Sequence, residues 1–272
     1  MIQECGAGRP TLRVFIISDI HSNLQGMEAC VKAAGSYDAV INLGDIVGYG
    51  GSPNEVTDAS RKLGGQFVRG NHDKACTGIS GIETFNPIAG LAALWTKQTL
   101  TPENMIFLRE MPQGPVNMNG LARPAGEAPG LHGVQCVHGS PRDEDEYIIV
   151  MRDAVEPLAN MQVQLTFFGH THIQGGFCLD NEQWGTLRPV YHSKTGPEKV
   201  VLDLKQDVKY LINPGSAGQP RDGDSRAAFA MFDTEALTIE FQRVPYEIKA
   251  AQKAILDNKL PERLATRLSE GR

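Results

Sequence analysis

The 272-residue sequence predicts an α/β fold of two packed sheets with helices on their outer faces. Three observations carry that prediction. The first 75 residues alternate strand, helix, strand, helix and strand, the order of parallel βαβ units. After residue 173 the pattern shifts to short strands at Ile173–Leu179, Lys199–Leu204, Tyr210–Ile212, Ala227–Phe232 and Leu237–Val244, which suggests a second, largely antiparallel sheet. Finally, five β-forming runs each end in acidic or imidazole side chains, and α/β folds place their chemistry at the carboxyl edge of a sheet.

Val14–Ile17 leads into Asp19-Ile20-His21. A helix over residues 23–34 follows, with Asn23 as N-cap and Leu24, Met27, Cys30, Val31 and Ala34 on one face. Val40–Leu43 leads into Gly44-Asp45. The helix Pro53–Leu63 has proline in its first turn and is stopped by Gly64-Gly65. Gln66–Val68 precedes Gly70-Asn71-His72-Asp73. Helices are expected at Pro87–Leu100 and Pro102–Met111, capped by Asn86 and Thr101. Residues 76–131 thus form a small insert, either capping the site or packed on a sheet face, with 113–131 irregular. Val134–Cys136 precedes Val137-His138-Gly139, and Leu165–Phe168 precedes Gly169-His170-Thr171-His172. The acidic run Asp143–Glu146 reads as a solvated face, and a helical tail occupies 246–272. One domain spans the 272 residues.

Seven side chains in these segments are metal-ligand types: Asp19, His21, Asp45, Asn71, His138, His170 and His172. Oxygen and imidazole donors without cysteine suit a hydrolytic Mn, Fe, Co, Ni or Zn site, not structural zinc or an iron–sulfur cluster. Seven ligands exceed the needs of one ion and suit two, which require a bridging carboxylate. In Asp19-x-His21, alternate residues point the same way and can reach one ion. His170-x-His172 has the same spacing.

The net charge of −6 and a pI near 5.7 disfavour a broad nucleic-acid footprint, which needs a basic face. No stretch approaches the apolar length of a membrane span, and the N-terminus lacks a signal-peptide pattern. Five cysteines, at positions 5, 30, 76, 136 and 178, make neither a disulfide framework nor a zinc pattern, so reduced thiols in a cytoplasm are expected.

The order Asp-x-His, Gly-Asp, Gly-Asn-His-Asp, His-Gly and Gly-His-Thr-His resembles the calcineurin-like metallophosphoesterase superfamily over nearly the whole chain. The resemblance implies a four-layer αββα sandwich and two divalent ions, Mn foremost, with Fe, Zn, Ni or Co as alternatives. It implies that Asp19, His21 and His172 hold one ion, that Asn71, His138 and His170 hold the other, and that Asp45 bridges them. It makes His72 the general acid that protonates the leaving oxygen, oriented by Asp73. Gly48-Tyr49-Gly50, His138-Gly-Ser-Pro141 and the loop 213–226 are similar to a bacterial and archaeal branch related to diadenosine-tetraphosphatases.

In that loop, Gly215-Ser216-Ala217-Gly218 can offer backbone N–H groups to a phosphate, and Arg221 or Arg226 a bidentate grip. Protein phosphatases of the superfamily carry an arginine shortly after Gly-Asp; here Ile46-Val47-Gly48-Tyr49 follows. The expected substrate is therefore a small soluble phosphodiester, nucleotide or dinucleoside polyphosphate, with a phosphomonoester or phosphoprotein as the alternative. A nuclease or a non-catalytic scaffold ranks below both.

Overall fold

A computed structural model describes residues 12–83, 85–118, 120–121 and 131–272. The chain opens with β1 (Arg13–Ile17), α1 (Leu24–Ala34), β2 (Ala39–Asn42), α2 (Pro53–Leu63) and β3 (Gln66–Phe67). The three strands pair in parallel, as βαβ units require. The Asn23 side chain accepts a hydrogen bond from the Gly26 amide and starts α1, and Pro53 begins α2.

Next come α3 (Asn71–Thr77), α4 (Pro87–Thr99), α5 (Pro102–Glu110), β4 (Val116–Asn117), β5 (Val134–Cys136), α6 (Met151–Asn160) and β6 (Leu165–Phe167). Asn86 and Thr101 cap α4 and α5 through their side-chain oxygens. The expected irregular stretch 113–131 contains the short strand β4, and positions 119 and 122–130 lie outside the described residues. The chain closes with β7 (Gly175–Asp180), β8 (Gln183–Leu187), β9 (Glu198–Asp203), β10 (Lys209–Asn213), β11 (Ala227–Asp233), β12 (Thr238–Val244), α7 (Ile248–Asp257) and α8 (Glu262–Glu270).

Two six-stranded mixed sheets result, ordered β3-β2-β1-β11-β12-β9 and β4-β5-β6-β10-β7-β8. The strands after residue 173 therefore do not form a sheet of their own, contrary to the expectation. β9, β11 and β12 complete the first sheet, and β7, β8 and β10 complete the second. Burial explains the division. β11 is buried along Ala227–Phe232 and must lie between covered neighbours, here β1 and β12. β8 is mostly exposed and takes an edge.

Alternation along β1 sorts its side chains. Val14 and Ile16 join Phe167, Ile212, Phe232 and Phe241 in the core between the sheets. Phe15 and Ile17 join Met27, Cys30, Phe229 and Met231 beneath α1. On the far side, α6 covers the second sheet through Ala154 and Leu158, against Phe168, Phe177 and Leu211. Helices α4, α7 and α8 share a separate cluster in which Ala89, Ala92, Ile255, Leu264 and Leu268 surround Tyr49. Among the described residues no helix is long and apolar enough to cross a membrane.

The approach of α1 to the loop 213–226 yields a test of the fold. A Cβ on Gly26 would lie 2.2 Å from the Ala217 carbonyl oxygen. Gly to Ala within a helix normally gains about 0.5–1 kcal/mol. Here Gly26→Ala is expected to reverse that sign and destabilise by about 1–3 kcal/mol, the range of overpacking. Urea unfolding checks it; an unchanged or raised midpoint would show that the loop yields freely.

Candidate metal centre

The carboxyl ends of β1, β2, β3, β5 and β6 converge where the two sheets meet. Beyond the strands, backbone hydrogen bonds keep the chain segments in register. The Asp19 and His21 amides donate to the carbonyls of Gly44 and Asp45 at 3.0 and 2.9 Å. The Gly169 amide donates to the His138 carbonyl at 2.8 Å. Links also cross between the sheets, among them the His170 amide, which donates to the Asp19 carboxylate at 3.1 Å. Asp19, His21, Asp45, His170 and His172 all have φ between +48° and +66°, the left-handed region that non-glycine residues seldom occupy. Such strain collects at functional sites, because surrounding contacts must hold it in place.

Two groups of ligand atoms result. Asp19, His21, Asp45 and His172 form one, and Asp45, His138 and His170 the other, the atoms of each lying within 4.8 Å of one another. Asp45 belongs to both: its Oδ2 stands 3.5 Å from His21 Nε2 and 3.4 Å from His138 Nε2. Asn71 Oδ1 is buried without a hydrogen-bond partner. Six of the seven metal-ligand candidates thus stand in these two groups, and Asn71 lines the adjoining cavity with His170.

The tautomers follow from the partners. A carbonyl only accepts, so each ring nitrogen facing one must carry the proton. His21 Nδ1 donates to Val47 O at 3.1 Å, and His172 Nδ1 donates to Gln219 O at 2.6 Å. Their Nε2 atoms, left with lone pairs, face each other at 3.0 Å. His138 Nδ1 donates to Leu43 O at 2.7 Å, and His170 Nε2 donates to Asp145 O at 3.1 Å. His138 Nε2 and His170 Nδ1 then meet at 3.1 Å. Converging lone pairs repel unless a cation or proton lies among them, and carbonyl-anchored imidazoles are the outer shell of metal sites. The donor set fits two divalent cations.

Protonation states report the same demand. Burial, followed by the nearby Asp45 charge, raises Asp19 to about 7 against the attraction of His138. Burial opposes the charge of Asp45 too, but His138, His72 and His21 outweigh it and hold that carboxyl well below its usual range. Against burial, Asp45 and Asp19 raise His138 to about 10, so a proton substitutes for a cation there. Burial pushes His21 and His172 well down, and His170 to about 3.

Asp73 departs from its expected role. Its carboxylate accepts from the Asp45, Gly70 and Val47 amides at 2.8, 2.9 and 3.2 Å and makes no hydrogen bond to His72. It shapes the Asp45 loop; it does not orient the imidazole. His72 is tied instead through its own amide, which donates to Asp45 Oδ1 at 2.8 Å. Its Nδ1 is buried and unpaired.

Two of the expected substrate contacts are also overturned. Arg226 is buried, forks onto Asp224 and reaches Gly196 O, because its place at the start of β11 points it into the sheet junction. Ser216 donates to Asp19 O and accepts from the Gln219 amide. The amides of Gly215, Ala217 and Gly218 are taken by Asn213 Oδ1, Ser18 O and Asp19 O and so do not serve a phosphate. Arg221 alone folds toward the site, donating to Gln219 Oε1 at 3.2 Å and Tyr49 Oη at 3.4 Å.

A cavity of about 450 Å³ opens over the second ligand group, lined by Tyr49, Asn71, His72, Phe85, Tyr147 and His170. Ser80, Gly81, Glu83, Phe85, Asn86 and Ala89, the last on α4, form one wall, while α5 packs against α2 and α3. The insert thus supplies both a rim and a packing layer. The acidic run is more than a solvated face: Glu144 pairs with Arg69 and Lys74, and Asp145 with Lys74. Tyr147, unnoticed in the sequence, stacks on His170 with ring centroids 3.7 Å apart. Its signal was position, directly after acids that answer Lys74 across the cavity. Cys76 is buried with its thiol pushed well up by burial, so it stays an inert bystander.

A family model described as calcineurin-like phosphoesterase superfamily domain matches residues 12–237. An uncharacterized protein of Methanocaldococcus jannaschii, MJ0912, is 38% identical over 263 residues, covering 95% of this chain and 98% of that protein. The crystal structure of a metallophosphoesterase from Sphaerobacter thermophilus superposes with a TM-score of 0.75 at 37% identity, covering 96% and 99% of the two chains. A hypothetical protein of Pyrococcus horikoshii, PH1004, shares the fold at a TM-score of 0.72 and 19% identity, over 96% and 98% of the chains.

Because a cation must displace the protons held by His138 and, in part, Asp19, metal binding near pH 7 is expected to release protons. The folded pKa of each lies above its ordinary value, so at these two groups the metal-free fold binds more protons than the unfolded chain, and their contributions to its stability fade as pH rises through about 7 for Asp19 and about 10 for His138. Titration calorimetry of Mn²⁺ into metal-free protein in buffers of differing ionisation enthalpy measures the release. Proton uptake would contradict these assignments.

Proposed function

The chain belongs to the calcineurin-like phosphoesterase superfamily, and from that premise we propose that it hydrolyses small soluble phosphate esters with two divalent cations sharing Asp45. The carrying observation is the two pairs of facing imidazole nitrogens, both reaching Asp45 Oδ2. Asp19, His21 and His172 would hold one ion, and Asn71, His138 and His170 the other, with Mn²⁺ as the working cation for this oxygen and imidazole set. When bound, two such ions supply charge neutralisation at the phosphoryl oxygens and an activated water.

The chain's own contribution is to position and to transfer a proton. His72 lines the cavity between Tyr49 and Phe85, with ring centroids 4.3 and 4.6 Å away. Burial, the largest influence, depresses it to about 4 despite the opposing charge of Asp45. It is therefore neutral in the free protein, and an arriving anionic phosphate favours its imidazolium form, ready to protonate the leaving oxygen. The amide link to Asp45 Oδ1 fixes its backbone relative to the shared carboxylate. Phosphodiesters, nucleotides and dinucleoside polyphosphates fall within this proposal; phosphomonoesters form the second reading, favoured by the placement of Arg221. The free thiols Cys30, Cys76, Cys136 and Cys178 suit a reducing, cytoplasmic setting.

Elemental analysis of active protein is expected to give two ions per chain. Asp45→Ala should weaken both sites and His138→Ala chiefly one; full activity with one ion per chain would refute the shared-carboxylate arrangement. His72→Asn should keep both ions yet lose about 10²–10⁴ in turnover on an ester with a poor leaving group. On a nitrophenyl ester, whose leaving group hardly needs a proton, the loss should be far smaller. Equal losses on the two esters would remove His72 from the proton transfer.

A further inference from the structure

The case for a diester rested on the absent arginine after Gly-Asp, since a dianionic monoester needs a cationic fork beside the metals. The structure brings an arginine to that place from another segment. Arg221, on the loop between β10 and β11, hangs from the His172 carbonyl by its own amide, one bond away from a candidate ligand. Its guanidinium lies over the Tyr49 ring at 5.7 Å, and that ring stands 4.6 Å from His21 and 4.3 Å from His72. Through Tyr49, which lines the cavity, the guanidinium stands beside the ligand cluster and the cavity wall.

The guanidinium is under-used where it lies. Its protein hydrogen bonds are the two long ones to Gln219 and Tyr49, and its Nε is buried with no partner. Among the described residues it joins no salt bridge, unlike Arg226 and Arg243, which fork onto Asp224 and Asp222. A second guanidinium stands behind it. Arg267, on α8, lies 5.8 Å from the same Tyr49 ring, and its Nε donates to a main-chain oxygen of Arg272. The Arg221 guanidinium, with no carboxylate partner and a second cation across the ring it rests on, is a local excess of positive charge that an anion would relieve. The rest of the cavity offers no equivalent: Lys74 is already held by Glu144 and Asp145, and Glu83 adds a further acid. Cationic demand is thus confined to the phosphoryl end, while Phe85 and Tyr147 leave an aromatic space for an uncharged leaving group.

We propose that Arg221, positioned by Tyr49 and Arg267, grips the non-bridging oxygens of a dianionic phosphoryl group, making phosphomonoesters with a flat, uncharged leaving group the preferred substrates. The inference rests on the hydrolase reading above. A diester, with one negative charge and a second organic arm, gains less from the fork and must fit that arm against Arg221. A dinucleoside polyphosphate would set further charges beside Glu83 and Asp145, where no free cation answers them.

The test compares p-nitrophenyl phosphate with bis(p-nitrophenyl) phosphate, which share a leaving group, on the Mn²⁺-loaded full chain. The native protein is expected to have the higher kcat/KM on the monoester and to be inhibited competitively by inorganic phosphate. Arg221→Gln should lower monoester kcat/KM by about 10- to 150-fold, the worth of charge-assisted hydrogen bonds, and diester kcat/KM about tenfold less than that. Arg221→Lys keeps the charge without the fork and should fall between. Arg267→Gln, acting through Tyr49, should weaken phosphate inhibition and raise monoester KM while leaving kcat less affected, a split that general loosening of the fold would not produce. Native preference for the diester, or equal losses on both esters in Arg221→Gln, would overturn the inference and leave the hydrolase reading standing. Hydrolysis of neither ester by protein carrying two ions would overturn both.

Discussion

Four imidazoles with their outer nitrogens tied to carbonyl oxygens set the terms for everything around them. Once Val47, Gln219, Leu43 and Asp145 have taken an N–H from His21, His172, His138 and His170, the remaining nitrogens meet in two close pairs, one of bare lone pairs and the other bridged by the proton that His138 retains. The fold holds this repulsive arrangement dry, together with the carboxylates of Asp19 and Asp45. Its stability in that form depends on positive charge arriving from outside the chain, so the centre is a frame built around cations.

Holding such a frame requires a rigid backbone, and Asp73 provides much of it. A carboxylate that collects three amides from Asp45, Gly70 and Val47 fixes the turn after β2 against the start of α3. A Cβ on Gly70 would fall 2.0 Å from Asp45 Oδ1, so the close approach belongs to glycine. Burial and the neighbouring Asp45 charge raise Asp73 to about 7, opposed by the hydrogen bonds it accepts from Gly70 and Val47. The left-handed conformations at Asp19, His21, Asp45, His170 and His172 are the local cost of aiming side chains inward, and this web of amides keeps them.

Much of this was legible in the sequence, for identifiable reasons. The helix Pro53–Leu63 is bounded by proline and a glycine pair, and Asn23, Asn86 and Thr101 cap helices through short-range side-chain contacts. The ligands were legible because each follows an apolar strand. Four elements escaped, the two-residue β4 among them. α3 carries Asn71, His72 and Asp73 in its first turn, so its sequence shows ligands in place of apolar periodicity. α6 contains Pro157, an unusual helix interior residue, and β8 is too exposed to show a strand's alternation. The division of the later strands between sheets is a matter of nonlocal burial, which no window of sequence contains. Arg221 and Arg226 look alike in the loop, and only the fold shows that Asp224 captures one and leaves the other facing Tyr49.

The contact between Arg267 and Tyr49 has a consequence for the order in which the protein is made. The ligand residues are all synthesised by position 172, yet α8, which stands beyond the family-matched segment, supports the ring that backs Arg221. The frame around the candidate ligands can close only once Gln219 and the strands through β12 have emerged, and support for the proposed phosphate grip arrives later still, with the last helix.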